Sequence, residues 1–396
     1  MNLSRVEKAS RGLTYTPTEI NQQPSSWLET FRILEEIQAD IQIFLKKSGW
    51  GESNDGTLTV SLIGAGTSDY IGRALAGLLR REWRCHVQTI PSTDLLTEMH
   101  EVMASAPVKT RHLWISFSRS GDSFEGVHVI QTALEKYPQI NHLIVTCNKD
   151  GKMANDLSHG RSNVFCITLD DKVNDRGLAM TSSFTNMVIV GQCLAHILNL
   201  DLYKPILGTL VAAANGALHD IAALANRMAD RDHARICFLG SGPLKAVGDE
   251  SSLKVMELTA GYYCVMSESF LGLRHGPLSW LNEDSMVVGF LSNDPEKITT
   301  ELGLLDELKS KNIVKDIIVI APQTIDPQPS ADHWLTLDIP ETMADHYRPP
   351  LDVIFAQCLG LFSSLRRNLK PDTPSVDGKI QRVVSQIKIK ELHNSN

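Results

Sequence analysis

The 396-residue sequence has no CxxC pair, although it holds seven cysteines. An odd number of cysteines without such pairing argues against both a disulfide framework and a thiolate zinc site. The chain also lacks the ~18 consecutive apolar residues of a membrane span, because its most apolar stretch, 186–200, is broken by Gly191, Gln192 and His196. The first residues show no apolar signal segment. We therefore expect a cytoplasmic protein with no membrane partner.

Positive charge is in short supply as well. Lysine and arginine total 38 against 46 acidic residues, for a net charge of −8, and no basic cluster stands out. A nucleic-acid partner is therefore not expected. Hydrophobic residues at 42% and charged residues at 21% are typical of a soluble globular chain, and the length suggests two compact units or one large one.

The pattern along the chain predicts a helical preface followed by a parallel α/β sheet. Apolar positions at helical spacing predict one amphipathic helix over 25–47, which glycines 49 and 51 end. Short apolar strands alternate with helix-length segments after it, as in sheets covered on both faces. The strands predicted in this part are 58–64, 85–90, 113–117, 142–146 and 163–169.

This strand, turn and helix pattern occurs twice. LTVSLIGAGTSDYIGRAL (58–75) and ARICFLGSGPLKAVGDES (234–251) align so that Gly64 and Gly66 match Gly240 and Gly242, which indicates a duplicated domain. A helix over about 204–231 joins the copies. Further strands are predicted at 236–239, 263–266, 285–291 and 316–320. The predicted units are an N-terminal extension (1–52), a first domain (53–205) and a second domain (206–396).

Two loops of the first copy have the composition of a phosphate site. Residues 64–68 and 118–123 follow buried strands, precede helices, and offer hydroxyls together with helix N-termini. In the second copy the matching strand ends in Ser-Asn-Asp-Pro (292–295), so only the first keeps the hydroxyl-rich loop. The alternative interpretation is that Ser68 and Asp122 merely cap their helices.

Cofactor and metal motifs are not evident. Neither GxG loop continues as a dinucleotide fingerprint, and the Walker pattern is missing. His100-Glu101 is not followed by the second histidine of a metalloprotease motif. We expect no cofactor and no metal.

The duplicated sheet, the SxSGxS loop (118–123) and the stretch 250–278 together resemble the double sugar-isomerase (SIS) family, which includes the isomerase part of glucosamine-6-phosphate synthase. The segments LAMTSSFTNM (178–187) and 350–384 are most similar to its AgaS-type group of galactosamine-6-phosphate deaminases and tagatose-6-phosphate ketose-aldose isomerases. The resemblance implies two tandem SIS domains, each a three-layer α/β/α unit of flavodoxin-like form, preceded by the helical extension.

The resemblance also implies a sugar-phosphate site on the first repeat. Substrate-binding residues would be Gly66, Thr67, Ser68, Ser118, Arg119, Ser120 and Ser123. Arg119 stands where the synthase usually has glutamine, so it either adds a cationic contact or points into solvent. The synthase has serine at the place of Met180, and Thr181 or Ser182 would substitute for it.

The second repeat would carry the chemistry. Glu250, Lys254 and Glu257 are spaced to share one helix face, and this spacing by itself favours a solvated face with one ion pair. The resemblance implies that Glu257 moves the proton between C1 and C2 with Lys254 beside it. His275, by itself an ordinary loop histidine, would open the sugar ring and reach a neighbouring subunit's site, which makes a homodimer the minimum. Lys379, otherwise in a plain linker, would lie on a loop that closes over the sugar.

These residues predict an enzyme that converts a hexosamine 6-phosphate, preferably galactosamine 6-phosphate, to a ketose 6-phosphate and ammonia through an enolamine. Two alternatives remain open at this level. Aldose-ketose isomerisation without ammonia release would use the same base, and a non-catalytic sugar-phosphate sensor would use the same binding loops. The preferred C4 epimer and the physiological direction are not encoded in any motif.

Overall fold

The N-terminal extension consists of four helices. The computed structural model describes residues 3–51, 57–107, 109–231, 233–322 and 331–383. The helices are α1 (Arg5–Ser10), α2 (Thr16–Asn21), α3 (Gln23–Glu36) and α4 (Gln38–Lys47). The prediction of one helix over 25–47 was wrong, because the helix is interrupted at Ile37, whose φ of −103° and ψ of 11° leave helical geometry. Apolar spacing cannot reveal this break, since the core-facing residues keep helical phase on both sides of it.

The first sheet has five parallel strands, as predicted. They are β1 (Leu58–Gly64), β2 (His86–Pro91), β3 (Arg111–Ser118), β4 (Asn141–Thr146) and β5 (Val164–Thr168), in the order β2-β1-β3-β4-β5. This is the flavodoxin-like order, in which β2 lies on one side of β1 and the later strands β3 to β5 follow on its other side.

The second sheet repeats the first. Its parallel strands are β6 (Arg235–Leu239), β7 (Cys264–Glu268), β8 (Ser285–Phe290), β9 (Asp316–Pro322) and β10 (His333–Leu337), in the order β10-β9-β8-β6-β7. Numbered within each copy, the two sheets have the same order, so the duplication predicted from the GxG repeat is confirmed. The strand β10 was not predicted.

Helices cover both sheets. In the first half they are α5 (Thr67–Trp83), α6 (Ser92–Ala104), α7 (Phe124–Lys136), α8 (Lys152–Asn155) and α9 (Ser182–Ala195). In the second half they are α10 (Lys204–Ala229), α11 (Pro243–Leu258), α12 (Phe270–Leu273), α13 (Pro295–Ser310), α14 (Pro349–Asp352) and α15 (Ile354–Arg366). Short 3₁₀ turns lie at 171–173, 200–202, 277–280 and 345–347.

The long helix α10 lies where the two halves join. Its buried face, which includes Leu207, Leu210 and Ile221, packs mainly against α15 and α3. Among the described residues, 200–229 is the one helical stretch long and apolar enough to qualify as a candidate membrane span. Its other face carries exposed Lys204, Asn215 and other polar side chains, as an amphipathic surface helix does.

Both ends of the described chain meet beside the first sheet. Asp372 accepts hydrogen bonds from the backbone N–H groups of Thr14 (2.7 Å) and Thr16 (2.8 Å), and from the Thr16 hydroxyl at 2.9 Å. It thereby holds the start of α2, which has no cap of its own from the preceding Tyr15. The C-terminal segment 371–383 is consequently anchored next to the carboxyl edge of the first sheet.

Candidate active site

The two hydroxyl-rich loops meet in one cavity of about 140 Å³. They follow β1 and β3, the strands between which the sheet order reverses, which is where open α/β sheets bind ligands. The predicted residues Ser68, Ser118, Arg119, Ser120 and Ser123 all line it. Gly66 and Thr67 begin α5 at its edge.

Helix capping does not account for these loops. Neither α5 nor α7 has a hydrogen bond from a side chain at its N-cap. The carboxylate of Asp122 accepts instead from the backbone N–H of Lys152 at 2.9 Å and from Asn148. Within the described part of the chain, the first-turn N–H groups of Glu125 and Gly126 have no acceptor. A free helix N-terminus facing a cavity of hydroxyls is the local geometry that favours an anion.

Two further hydroxyls that the sequence analysis missed line the cavity. Ser92 begins α6 directly after β2, and Ser116 lies two residues before Ser118 on the same face of β3. The Ser116 hydroxyl is buried, and the part of the chain that the structure describes offers it no hydrogen-bond partner. The strand-end rule would have found Ser92, and the two-residue period of a strand would have found Ser116.

Arg119 is buried rather than solvent-facing, with 7% of its surface exposed. It donates to the backbone carbonyls of Leu178 (3.0 Å), Gly177 (3.4 Å) and Arg382 (2.9 Å). Arg382, which the sequence analysis did not single out, also lines the cavity. Burial lowers the pKa of Arg119, although nearby Asp175 and Glu257 oppose the shift.

The corresponding loop of the second repeat is occupied by the protein's own carboxylates. The backbone N–H of Ser292 donates to Glu301 at 2.8 Å, and its hydroxyl donates to Asp345 at 2.5 Å. Asp345 also accepts from the backbone N–H of Asn293 at 2.9 Å. The loop of the second repeat thus has acceptors within the protein, whereas the first-turn N–H groups of α7 have none among the described residues.

The three charged residues of α11 form a buried cluster that touches the first repeat. Lys254 is fully buried, with its Nζ 2.5 Å from Glu257 and 3.4 Å from Glu250. It also donates to the Thr67 hydroxyl at 3.0 Å, and that hydroxyl donates to Glu250 at 3.3 Å. The reading of a solvated helix face was wrong for Glu250 and Lys254, because α11 packs against α5 and α15. Only Glu257 keeps partial solvent access, at 28% of its side chain.

Burial and charge act together on this cluster. Burial raises the pKa of Glu250 from 4.5 to about 8, although Lys254 opposes the shift. Burial alone would lower the pKa of Lys254, but the adjacent carboxyls Glu250 and Glu257 outweigh it and raise that pKa. Near neutral pH, the cluster therefore holds a Lys254 cation beside a protonated Glu250.

Thr181 and Ser182 lie near the cavity but do not line it. Their backbone N–H groups donate to Asp175 at 2.7 and 3.1 Å, while the Ser182 hydroxyl donates to the carbonyl of Glu19 at 2.6 Å. Met180 is the residue of this loop that lines the cavity. Asp175 thus holds the start of α9, and both hydroxyls donate to acceptors outside the cavity lining, Asp175 and the carbonyl of Glu19.

His275 and Lys379 lie outside the cavity. His275 is exposed on the turn between α12 and the 277–280 turn, a position open to a second chain. Lys379 is 82% exposed, and its Nζ is 2.8 Å from Asp377 on the same segment.

Comparison with known proteins gives concordant matches. The SIS domain model matches residues 58–197 and 231–361. The D-galactosamine-6-phosphate deaminase AgaS of Escherichia coli is 32% identical over 379 residues, which are 94% of this chain and 95% of that protein. A crystal structure of tagatose-6-phosphate ketose/aldose isomerase from Escherichia coli has a TM-score of 0.81 at 30% identity, and the match covers 91% of this chain and 95% of that one. The glutamine–fructose-6-phosphate aminotransferase (isomerizing) of Pyrobaculum aerophilum is 24% identical over 90% of this chain, but over only 55% of its own length.

Proposed function

The chain belongs to the SIS domain family, and from that membership we propose that it is an enzyme converting galactosamine 6-phosphate to tagatose 6-phosphate and ammonia. The deaminase name of the Escherichia coli relative, at 32% identity over nearly the whole of both chains, supports this reaction class and substrate.

The hydrogen bond between Lys254 and Thr67, at 3.0 Å, is the observation that carries the proposal. It joins α5, which follows the loop 64–68, to α11, which carries Glu257. A sugar with its phosphate in the cavity then has its C1–C2 end directed toward α11. Proximity of this kind is what a proton transfer between adjacent carbons requires.

Glu257 is the base in this scheme. After His275 assists ring opening, Glu257 takes the proton from C2 of the open-chain amino aldehyde, and the electron pair forms the C1–C2 double bond of an enolamine. Lys254 stabilises the negative charge that develops on the C1 oxygen. Glu257 returns the proton to C1, the nitrogen lone pair forms the C2–N double bond, and one N–H proton passes to the C1 oxygen, which gives a C2 ketimine with a C1 hydroxyl. Water adds to C2, the C–N bond breaks, and ammonia leaves with the ketose phosphate.

A substrate panel tests the reaction. Galactosamine, glucosamine, galactose and tagatose 6-phosphates would be incubated with the protein, and ammonia and ketose measured separately. We expect stoichiometric ammonia and tagatose 6-phosphate from galactosamine 6-phosphate. Interconversion of galactose and tagatose 6-phosphates without ammonia release would instead favour the isomerase, for which the isomerase structure at 30% identity is the supporting observation.

Glu257→Gln tests the assigned base. Gln keeps the size and the hydrogen-bonding capacity toward Lys254 but cannot take a proton, so turnover should fall by about 10³-fold or more while binding of the sugar phosphate persists. The matched control is Glu283→Gln, an exposed carboxyl outside the cluster. Full activity of the Glu257 variant would contradict the mechanism, and unmeasurable turnover in wild type with retained binding would favour the sensor.

A further inference from the structure

We propose that Arg382, on the C-terminal segment, binds the phosphate of the substrate in the cavity, and that Arg119 positions it. The inference rests on the proposed function for the identity of the ligand as a sugar phosphate. It adds a substrate-binding residue to a site otherwise built from hydroxyls and helix N-termini.

The guanidinium of Arg382 is fixed on one side and unpaired on the other. Its Nε donates to the backbone carbonyl of Asp175 at 2.6 Å, and its Nη2 donates to the side chain of Asn174. Within the described ranges, Nη1 has no hydrogen-bond partner, although the side chain lines the cavity. An arginine held by two bonds presents its remaining donors in a fixed direction, which suits the oxygens of a phosphate.

Arg119 and Arg382 have different roles in this proposal. Arg119 donates to the three backbone carbonyls described above, so its Nη donors serve the loop 177–178 and the C-terminal segment. The bond to the carbonyl of Arg382, at 2.9 Å, holds the backbone from which the second guanidinium extends. Arg119 is therefore a positioning residue for Arg382, and its buried charge adds to the potential of the cavity.

The two arginines in the cavity wall face few carboxylates within the cavity, although Asp175 and Glu19 lie close enough behind the wall to act on both. Arg119 and Arg382 are opposed in the lining only by Glu125. Burial together with the charges of Arg119 and Arg176 lowers the pKa of Arg382 to about 10. A bound dianion between the two guanidinium groups would relieve this repulsion, and six serine hydroxyls of the lining would meet its other oxygens.

The position of Lys379 sharpens the assignment. Lys379 and Arg382 are three residues apart on the same segment, but Lys379 pairs with Asp377 in solvent, whereas Arg382 is partly buried in the cavity wall. Of the cations on this segment that the structure describes, Arg382 is the one that lines the cavity.

The experiment measures binding of inorganic phosphate and of galactosamine 6-phosphate by calorimetry in wild type, Arg382→Gln, Arg382→Met and the control Gln381→Ala. Gln381 is exposed and does not line the cavity. Loss of a charge-assisted contact should weaken both ligands by about 10- to 100-fold in the Arg382 variants, while the control binds as wild type. Gln can still donate a hydrogen bond to Asn174 or Asp175, whereas Met cannot. A variant is interpreted only if its circular-dichroism spectrum matches that of wild type, and one such variant is enough for the test.

Kinetics separates binding from mere support of the loop. A phosphate contact predicts a raised KM with kcat within about threefold of wild type, whereas a purely structural role would lower kcat as well. Unchanged phosphate affinity in a folded Arg382 variant would overturn the inference. If wild type released neither ammonia nor ketose from any sugar phosphate, yet phosphate affinity fell in the variants, the proposed function would fail and the Arg382 assignment would stand.

Discussion

At the scale of single residues, burial raises the pKa of Glu250 to about 8, which favours the protonated acid near neutral pH. Glu250 is fully buried, one of its oxygens has no hydrogen-bond partner among the described residues, and it shares Lys254 with Glu257. When Glu250 is neutral, the Lys254 cation pairs with Glu257, which is the carboxyl with solvent access. In the proposed mechanism, Glu250 would then adjust the charge of the cluster without competing for the proton of the substrate.

Glu250→Gln should change how stability depends on pH. Because the folded pKa of Glu250 is raised from 4.5 to about 8, its contribution to stability is complete below about pH 4.5 and is lost as the pH rises through 8. Gln mimics the protonated form at every pH. Urea titrations should give equal stability near pH 5 and an advantage of about 1–3 kcal/mol for the variant by pH 9.

Two other buried acids change stability in the same direction, because the pKa of Glu19 is raised to about 7 and that of Asp352 to about 6. The relevant quantity is therefore the difference between variant and wild type at each pH. A difference that stays constant from pH 5 to pH 9 would contradict the assignment.

The residues of the site were only partly predictable. Thr67 and Lys254 were both identified, but their contact spans 187 positions of sequence and depends on how α5 packs on α11. Arg382 was missed because its partner Arg119 lies 263 positions away. Motifs report residues that share one local element, whereas a cavity wall is assembled from segments that only the fold brings together.

At the scale of elements, the glycines of the GxG turns are required by close backbone packing, whether or not a ligand binds there. A Cβ on Gly64 would lie 2.3 Å from the carbonyl carbon of Ser68, and one on Gly240 would lie 2.2 Å from the carbonyl oxygen of Leu244. Gly66 and Gly242 share nearly the same backbone angles, with φ of 56° and 57°. The same close turn occurs in both repeats, although the serine-lined cavity described above belongs to the first.

Gly64→Ala and Gly240→Ala should therefore destabilise the protein to a similar degree, by about 2–4 kcal/mol in urea unfolding. The control is Gly208→Ala on α10, where open space surrounds the glycine and helix propensity should add up to about 1 kcal/mol. Wild-type stability of Gly64→Ala would show that the turn tolerates a side chain and that the glycine is there for a ligand.

Element boundaries follow the strength of the local pattern. β1, a short run of β-branched and apolar residues that ends at the GxG turn, gave the bounds that the structure has, 58–64. The strand β10 was missed because His333 and Thr336 interrupt its apolar pattern and it pairs with β9 alone. An edge strand is specified by its neighbour in the sheet, and a sequence window does not contain that neighbour.

At the scale of the whole molecule, the two SIS domains share one apolar cluster. The main apolar cluster includes Leu62 of the first sheet and Ile318 of the second, with α10 and α15 between them. His275 lies on an exposed turn outside this cluster, where a second chain could contact it, as the sequence analysis expects.

Mixing two inactive variants tests that arrangement. Glu257→Gln and His275→Asn each remove one predicted group, so a mixed dimer has one site with both wild-type groups if His275 acts across the interface. Random exchange should restore about a quarter of wild-type activity. If His275 acts within its own chain, every mixed dimer remains inactive, and refolded homodimers of each variant provide the baseline.

The carboxylates of Glu301 and Asp345 in the second repeat have a consequence for how the molecule is held together. In the second repeat these carboxylates accept from the loop donors of Ser292 and Asn293, whereas in the described part of the first repeat the Ser116 hydroxyl and the N-terminus of α7 have no acceptor. We therefore expect a ligand to stabilise the loop of the first repeat and to leave that of the second unchanged. Amide hydrogen exchange should slow on ligand binding around residues 116–126, while residues 290–301 exchange at the same rate with or without ligand.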